Sequence, residues 1–253
     1  MRQLFRSVSA LILREMSTTY GRSPGGYAWA VLEPVAGTAL LAFVFSLAFH
    51  NPPLGSNFPL FYATGLLPFM MYTDLVTKVS QSISFSRQLL FYPKVTFLDA
   101  VIARFTLNLM TQLMVCAIVF VGIVRMFDLN PIINMSAIVS GLSMTAAVGL
   151  GIGMLNCYLV SASMTWLRVW AILNRPMFII SCIFFIPESL PEPYQTILTY
   201  NPLVHVIGEV RRGFYPSYEG AYISHSYVYG FSAICFTFGL VFLLRYSREI
   251  LNR

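Results

Sequence analysis

The stretch that decides the fold is residues 132–160, IINMSAIVSGLSMTAAVGLGIGMLNCYLV. Its 29 residues include no Asp, Glu, Lys or Arg, and about 20 apolar residues are enough for a helix to cross a hydrocarbon core of about 30 Å. The stretch therefore predicts a transmembrane helix. Gly149 and Gly153 have the small-xxx-small spacing that lets membrane helices approach closely, so we predict that they serve packing rather than a ligand.

The composition of the whole chain indicates the same solvent. Of 253 residues, 57% are hydrophobic and 10% are charged, and the mean hydropathy is +0.70. Soluble globular domains carry about 25% charged residues, so most of this surface is expected to face lipid. At about 20 residues for each span, the chain has room for six or seven spans with short loops, and we predict one membrane domain over residues 1–253.

Six apolar segments are predicted to cross the membrane, so the predicted fold class is an all-α integral membrane protein. The predicted spans are Tyr27–Phe49, Phe58–Thr77, Asp99–Val124, Ile132–Val160, Leu167–Pro187 and Tyr227–Tyr246. Before the first span, Met1–Met16 repeats apolar residues along one helical stripe with arginines beside it. This pattern predicts a helix that lies in the membrane interface, followed by a turn that ends at residue 26.

Two further segments are apolar but do not fit a plain bundle of spans. Ser80–Leu98 is too short to cross the membrane and too apolar for a bare loop. Pro187–Ser226 carries five prolines around an apolar-polar stretch, Tyr194–Tyr215. Irregular backbone at membrane depth needs protein or water around it, so we predict a re-entrant or interfacial helical hairpin there. A loop folded over the outer surface is the alternative.

The predicted domain thus has four parts. They are the interfacial helix and turn at 1–26, spans one to four at 27–160, the fifth span with the outer hairpin at 161–226, and the sixth span with its tail at 227–253. With the N-terminus inside, 13 of the 16 Lys and Arg residues fall on the cytoplasmic side and 3 on the outer side. Because Lys and Arg set orientation, both termini are predicted to be cytoplasmic.

Catalytic and nucleotide-binding motifs are absent from the sequence: it has no GxxxxGK[ST] phosphate loop, no HExxH and no GxSxG. The four cysteines and three histidines lack the spacing of a metal site, so we predict neither catalytic residues nor a metal. The ionisable residues expected at membrane depth are Glu33, Asp74, Asp99 and Arg104, all near cytoplasmic ends. An ion-coupled carrier usually holds a charge at the midplane, so that class is disfavoured.

Five short sequence strings resemble those of a known family. They are LRE at 13–15, YGR at 20–22, GYAWAVLEP at 26–34, RPMFIISCIFF at 175–185 and NPLVHV at 201–206. The first three resemble the start of type-2 ABC exporter permeases. The last two are similar, more specifically, to the inner-membrane permease of capsular polysaccharide exporters. The resemblance covers about residues 11–248, and exporters of O-antigen or teichoic acid share part of it.

The resemblance implies a homodimer with a translocation path at its interface and two copies of a separate ATPase subunit that binds ATP and magnesium. It implies a lipid-linked acidic polysaccharide as substrate, a bacterial inner (plasma) membrane location, and a periplasmic adaptor and outer-membrane channel as further partners. The expected function is capsular polysaccharide export. O-antigen or teichoic acid export is the alternative; an ion-coupled carrier or a non-transporting scaffold is less favoured, and no nucleic acid partner is expected.

Three groups of residues are predicted to carry this function. The cytoplasmic apolar segment is predicted to dock the ATPase through Arg87, Gln88, Leu89, Leu90, Phe91, Tyr92 and Lys94. The groups predicted to meet the substrate or its lipid head group are Arg14, Arg22, Trp29, Trp166 and Trp170; membrane orientation and an interfacial aromatic belt are the alternatives.

The third group is an outer gate predicted from Glu209, Arg211 and Arg212. Charges in lipid are costly, so these side chains are expected at the wet end of the hairpin or facing the pore. There the arginines would either contact an acidic glycan, since guanidinium groups pair well with carboxylates, or pair with Glu209 or Glu219 and hold the hairpin shut.

Overall fold

The computed structural model of the chain describes residues 2–15, 26–90 and 96–252, with side chains for 8–15, 28–87 and 96–246. Within these ranges the chain is helical and contains no strand. The helices are α1 (Arg2–Glu15), α2 (Gly26–Ala48), α3 (Phe58–Ser80), α4 (Ser82–Leu90), α5 (Phe97–Met126), α6 (Met135–Ala162), α7 (Thr165–Ile180), α8 (Glu192–Thr199), α9 (Pro202–Phe214) and α10 (His225–Asn252), with a 3-10 turn at Pro187–Ser189.

Four helical segments in the described ranges are long and apolar enough to cross a membrane. They are Ala28–Ala48, Phe97–Met126, Met135–Ala162 and His225–Tyr246. These segments coincide with the first, third, fourth and sixth predicted spans, so an all-helical membrane protein is confirmed. The count of six spans stays a prediction.

The second predicted span coincides with α3, which is 23 residues long but lies at the centre of the bundle. Sixteen of its residues are buried, and α2, α5, α6 and α9 pack around it. A helix shielded in this way can carry polar groups such as Thr64 and Tyr72, which are both buried, because protein rather than lipid surrounds them. Shielding explains why α3 is less apolar than the four segments above.

The fifth predicted span corresponds to α7, which has 16 residues and ends at Ile180, short of the predicted end at Pro187. The chain turns at Cys182, whose φ of 61° lies in the left-handed region, and a helix cannot continue through such a residue. The predicted end of this helix is therefore wrong. None of the residues of α7 is buried.

The glycines of the opening stretch bring α6 close to two neighbours. A Cβ at Gly149 would lie 2.9 Å from Cβ of Leu75, and one at Gly153 would lie 2.8 Å from Cβ of Val79, both on α3. A Cβ at Gly151 would meet the backbone oxygen of Ser232 on α10. The predicted packing role of Gly149 and Gly153 is confirmed.

The outer segment folds into two helices, α8 and α9, joined at residues 200–201. Asn201 caps α9: its side chain accepts a hydrogen bond from the Leu203 amide at 3.0 Å, and Pro202 takes the first helical position, where a missing N–H does no harm. Helix α9 packs against α3, α6 and α10. Two helices thus lie in the segment predicted to form a hairpin, and the re-entrant or interfacial hairpin itself stays a prediction.

Candidate substrate cleft and outer charge cluster

An open cleft of about 680 Å³ lies between α3 and α7. Its lining combines apolar, aromatic, amide and cationic groups. The lining residues are Phe69, Thr77, Ser80, Gln81, Leu167, Trp170, Ala171, Asn174, Arg175 and Phe178. The six residues from α7 follow the spacing i, i+3, i+4, i+7, i+8, i+11, so they form one face of that helix.

The chemistry of this face suits a hydroxylated, acidic ligand. Trp170 offers an aromatic surface, and Arg175, which is exposed, offers a guanidinium group that can bind a carboxylate through two hydrogen bonds. The side-chain oxygen of Asn174 is buried and has no hydrogen-bond partner among the described residues. The cleft can therefore bind ring, hydroxyl and carboxylate groups within a short distance of one another.

The three tryptophans predicted to meet substrate lie in different surroundings. Trp170 lines the cleft. Trp166 instead donates a hydrogen bond from Nε1 to Oδ1 of Asn156 at 2.9 Å, which fixes the start of α7 to α6. Trp29 lies on α2 and is 61% exposed. The structure thus does not bring the three rings together.

The N-terminal helix is fixed to the bundle by a buried ion pair. Nε of Arg104 on α5 lies 2.9 Å from Oε1 of Glu15, and both side chains are buried. The guanidinium groups of Arg104 and Arg14 lie 4.3 and 5.7 Å from the ring centre of Phe85 on α4, within range of a cation–π interaction. Arg14 thus lies where α1, α4 and α5 meet, and Arg22 lies outside the described residues.

The predicted ATPase-docking segment is partly described. Its first part belongs to α4, whose inner face, Ser82, Ile83 and Ser86, is buried. Arg87 is exposed. Gln88–Leu90 continue the helix, with only their backbone described, and the predicted residues Phe91, Tyr92 and Lys94 lie outside the described residues. The inner face anchors α4 and leaves Arg87 available to another chain.

The two adjacent arginines of the predicted outer gate have different surroundings. Arg212 is 40% exposed, and its Nη2 lies 3.0 Å from Oε1 of Glu209, which is 1% exposed. Nε2 of His225 lies 3.3 Å from the same oxygen. Glu209, rather than Glu219, is therefore the partner of Arg212.

Arg211 is completely buried and points into the protein. Its Nη1 donates to the backbone oxygen of Phe185 at 2.9 Å, and its Nη2 donates to that of Ile183 at 2.8 Å. The predicted place of Arg211 at a wet end or facing the pore does not match this conformation. Two backbone carbonyls accept hydrogen bonds from its terminal nitrogens inside the protein, and its Nε has no hydrogen-bond partner among the described residues.

A hydrogen-bonded chain of tyrosines lies beside this cluster. The Tyr218 hydroxyl donates to Oε2 of Glu188 at 3.2 Å and lies 2.9 Å from the Tyr222 hydroxyl. Burial raises the pKa of Tyr218 above its ordinary value, so the phenol keeps the proton that it donates. These hydrogen bonds connect the 3-10 turn to the loop before α10.

Comparison with known proteins identifies the family of the chain. The profile of the ABC-2 type transporter family matches residues 6–215, and the polysialic acid transport protein KpsM of Escherichia coli is 30% identical over 92% of this chain and 91% of that protein. The chain belongs to the ABC-2 type transporter family. It is similar also to the capsule polysaccharide export inner-membrane proteins CtrC of Neisseria meningitidis serogroup B, 23% identical, and BexB of Haemophilus influenzae, 24% identical, each over 97% of this chain and 92% of the relative.

Membership of the ABC-2 family assigns the roles of the chains. This ABC-2 chain is the membrane component and not an enzyme, and a separate ATPase subunit supplies the energy. The site residues that sequence reasoning missed are Asn174, Arg175 and Gln81 in the cleft. The helical spacing of Asn174 from Trp170 was a usable signal, whereas nothing in the sequence pairs α7 with Gln81.

Proposed function

We propose that this chain is the permease subunit of an ATP-driven exporter that moves lipid-linked capsular polysaccharide across the bacterial inner membrane. The observation that carries the proposal is the similarity to capsule-export proteins over more than nine tenths of the chain. Both termini lie in the cytoplasm in this proposal, and residues 1–253 act as one membrane domain.

The permease works as a homodimer whose second copy covers α2 and α7. The support is the poor burial of these helices by their own chain. Leu47 and Phe43 of α2 are 76% and 63% exposed, and Ile172 and Ile179 of α7 are 64% and 60% exposed. Large exposed apolar side chains, which α5 and α10 also carry, suit a partner helix as well as lipid. In this proposal a path between two copies is lined by α7.

The cleft between α3 and α7 receives the substrate from the cytoplasmic side. Trp170 stacks on a sugar ring, the amide groups of Asn174 and Gln81 hydrogen-bond hydroxyls, and Arg175 pairs with a carboxylate of an acidic sugar. Arg14, Arg22, Trp29 and Trp166 lie on the same cytoplasmic side in the proposed topology. Arg14 and Arg22 attract the anionic lipid end of the glycan; each cation near an anionic surface contributes about 1 kcal/mol.

The ATPase docks on the cytoplasmic segment that begins with α4. ATP and magnesium bind to the ATPase, and force reaches the bundle through the buried face of α4, where Ile83 packs with Val79, Met154 and Leu243. On the outer side, the Glu209–Arg212 pair holds the hairpin shut until glycan arrives. A periplasmic adaptor and an outer-membrane channel then continue the path.

An ion-coupled carrier is the second candidate, and one observation favours it. Glu33 and Asp74 line a polar pocket of about 220 Å³ between α2, α3 and α5, and Nε2 of Gln112 donates to Asp74 at 3.1 Å. Two carboxylates in one pocket can exchange a proton or hold a cation. In the exporter proposal this pocket has no part in energy coupling.

Deletion of the chain tests the proposed function. Cells that lack it are expected to accumulate lipid-linked capsular glycan inside the inner membrane and to lose surface capsule. The wild-type chain restores export, whereas Leu90→Asp inserts normally but fails to co-purify with the ATPase, because a buried apolar anchor contributes a few kcal/mol to an interface.

Three outcomes would contradict parts of this proposal. Normal surface capsule in the deletion strain would overturn the proposed function. Accumulation of lipid-linked O-antigen or teichoic acid instead would change the substrate and keep the permease role. Normal co-purification and export with Leu90→Asp would move the docking site away from α4.

A further inference from the structure

We infer that Arg211 is a positioning residue that ties the broken end of α7 to α9, so that this end and the outer hairpin move as one body. The broken end is residues 181–186, which follow the last turn of α7. Only the transport arm of the experiment below rests on the proposed function.

The buried charge of Arg211 must be compensated by specific contacts within the protein. Its side chain has no exposed surface and forms no ion pair with any described carboxylate. A buried charge is destabilising unless its hydrogen-bonding groups are satisfied. The partners of Arg211 are two backbone carbonyls, and both belong to the broken end of α7.

The broken end needs these donors as much as Arg211 needs acceptors. Ile183 and Phe185 lie beyond Ile180, where the intrahelical hydrogen bonds have stopped, so their carbonyl oxygens require other partners. The planar guanidinium carries five N–H groups in a fixed fork and can reach two carbonyls at once. Lysine, with one nitrogen, cannot reproduce this geometry.

The neighbouring helix α3 is shaped to accept the fork. The guanidinium carbon lies 4.4 Å from the ring centre of Phe61, which is fully buried, a cation–π distance. A Cβ at Gly65 would lie 3.3 Å from Nη2 of Arg211 and 3.2 Å from Cα of Ile183. Glycine at this position leaves the space in which the arginine and the broken end meet.

A second contact joins the same two elements at the other end of α9. Nδ2 of Asn201, the N-cap of α9, donates to Oγ of Ser181 at 3.2 Å. Residues near both ends of α9 thus hold residues 181–185. An outward movement of α9 would carry the broken end with it and would shift α7, which lines the cleft.

Native cysteines allow a direct test that does not depend on transport. Cys182 lies in the broken end and is 1% exposed. Cys116 and Cys157 are also buried, whereas Cys235 is half-buried. In the purified wild-type chain, a maleimide is expected to label Cys235 and to leave the other three protected, as measured by peptide mass spectrometry.

Arg211→Gln is expected to raise the labelling rate of Cys182 at least about tenfold, which corresponds to about 1.4 kcal/mol in the opening equilibrium. Cys116 and Cys157 stay protected. Arg211→Lys should give an intermediate rate, and it replaces the Gln variant if that variant does not fold. The matched control is Arg168→Gln, which removes an exposed arginine from the first half of α7 and should leave Cys182 protected.

Two labelling results would overturn the inference. Unchanged protection of Cys182 in both Arg211 variants would mean that the tie does not hold the broken end. Simultaneous labelling of Cys116 and Cys157 would mean that Arg211 stabilises the whole bundle rather than this contact.

The transport arm uses the permease with its ATPase in vesicles. Arg211→Lys is expected to keep most of the ATP hydrolysis but to move less glycan for each ATP, because the broken end no longer follows α9. The coupling role would be contradicted if ATP hydrolysis and glycan transport fell in the same proportion, or if neither fell. Failure of the proposed function appears separately, as absence of glycan movement by the wild-type chain.

Discussion

Helices α7 and α9 come from neighbouring parts of the chain and differ sharply in burial. Twelve of the 13 residues of α9 are buried, among them Glu209 and Arg211, whereas α7 has no buried residue although it carries Ile172, Ile179 and two tryptophans. In water the more apolar helix would be the buried one. Here the helix with more charged residues lies inside the protein, and the more apolar helix, whose two arginines are exposed, lies outside.

The contrast between α7 and α9 follows from what burial means for a chain in lipid. Charged groups must find partners within the protein, because an unpartnered charge in lipid costs at least about 2.5 kcal/mol. Apolar side chains are stable against lipid, so their exposure costs little and leaves them available to another chain. Helix α9 is therefore part of the core, and α7 is the surface that we propose for a second copy and for the glycan.

The largest loss of stability is expected from a substitution at the contact between α9 and α6. A Cβ at Gly141 would lie 2.6 Å from Cγ2 and 3.0 Å from the backbone nitrogen of Val210 on α9. Gly141→Leu must displace α9, and overpacking of this kind costs about 1–3 kcal/mol or more where the backbone moves. We expect a large loss of folded protein, measured as the fraction that stays monodisperse in detergent on heating.

A matched glycine provides the control for this change. A Cβ at Gly230 on α10 has nothing within 4 Å, so Gly230→Leu should shift stability by less than about 0.5 kcal/mol. Equal melting of the two variants would mean that α9 is not a tightly packed core helix.

An intermediate loss of stability is expected when the ion pair between Arg212 and Glu209 is removed. Arg212→Gln leaves the buried Glu209 carboxylate with His225 alone. Hydrogen bonds to charged groups contribute about 1.5–3 kcal/mol, and the partial exposure of Arg212 weakens this one. We therefore expect a loss of about 1–2 kcal/mol, measured by the same thermal assay.

A second variant, Glu209→Gln, separates a gating role of this ion pair from a direct contact between Arg212 and the glycan. If the pair holds the hairpin shut, Glu209→Gln and Arg212→Gln should change the export rate of an acidic capsule to a similar extent. If Arg212 contacts the glycan directly, Glu209→Gln should have the milder effect. Normal export by both variants would remove any gating role from this pair.

The smallest effect on stability is expected on α7. Trp170→Ala should cost less than about 1 kcal/mol, because surface substitutions have small effects, but it should reduce export several-fold through loss of the aromatic surface in the cleft. Trp170→Phe should restore most of the rate. The control Val241→Ala, at an exposed position of α10 outside the cleft lining, should leave glycan binding to the purified permease unchanged; equal loss of binding in both variants would contradict the cleft.

The sequence was sufficient for features that depend on local composition. Long apolar runs predicted the helices that can span the membrane, and the spacing of Gly149 and Gly153 predicted close packing, because both signals come from neighbouring residues. The surroundings of Arg211 were not predictable, since its partners are backbone carbonyls 26 and 28 residues away and no side-chain pattern marks a carbonyl. The end of α7 was misplaced for a related reason: Pro187 is a visible helix breaker, whereas the turn at Cys182 is held by Arg211 and Asn201 from α9.

The tryptophans show the same limit within the candidate site. By sequence all three fitted an interfacial belt, which was the favoured interpretation because Trp is enriched at interfaces, and a sugar-binding stripe was the alternative. Trp166 is fixed by Asn156, and Trp170 alone among them meets Arg175 and Asn174 in the cleft. Which aromatic residue faces a cleft depends on how α7 packs against α3. The ring contact between these two helices joins Phe69 and Phe178, which are 109 positions apart.

Reconstitution distinguishes ATP-driven glycan export from ion-coupled transport. The purified chain, its ATPase and lipid-linked capsular glycan are placed in sealed vesicles, and glycan that reaches the protected side is measured with ATP, without ATP, and with a proton or sodium gradient in place of ATP. We expect glycan transfer only with both the ATPase and ATP, and no transfer driven by either gradient. Transfer driven by a gradient without the ATPase, lost on Asp74→Asn, would contradict it and establish the ion-coupled carrier instead.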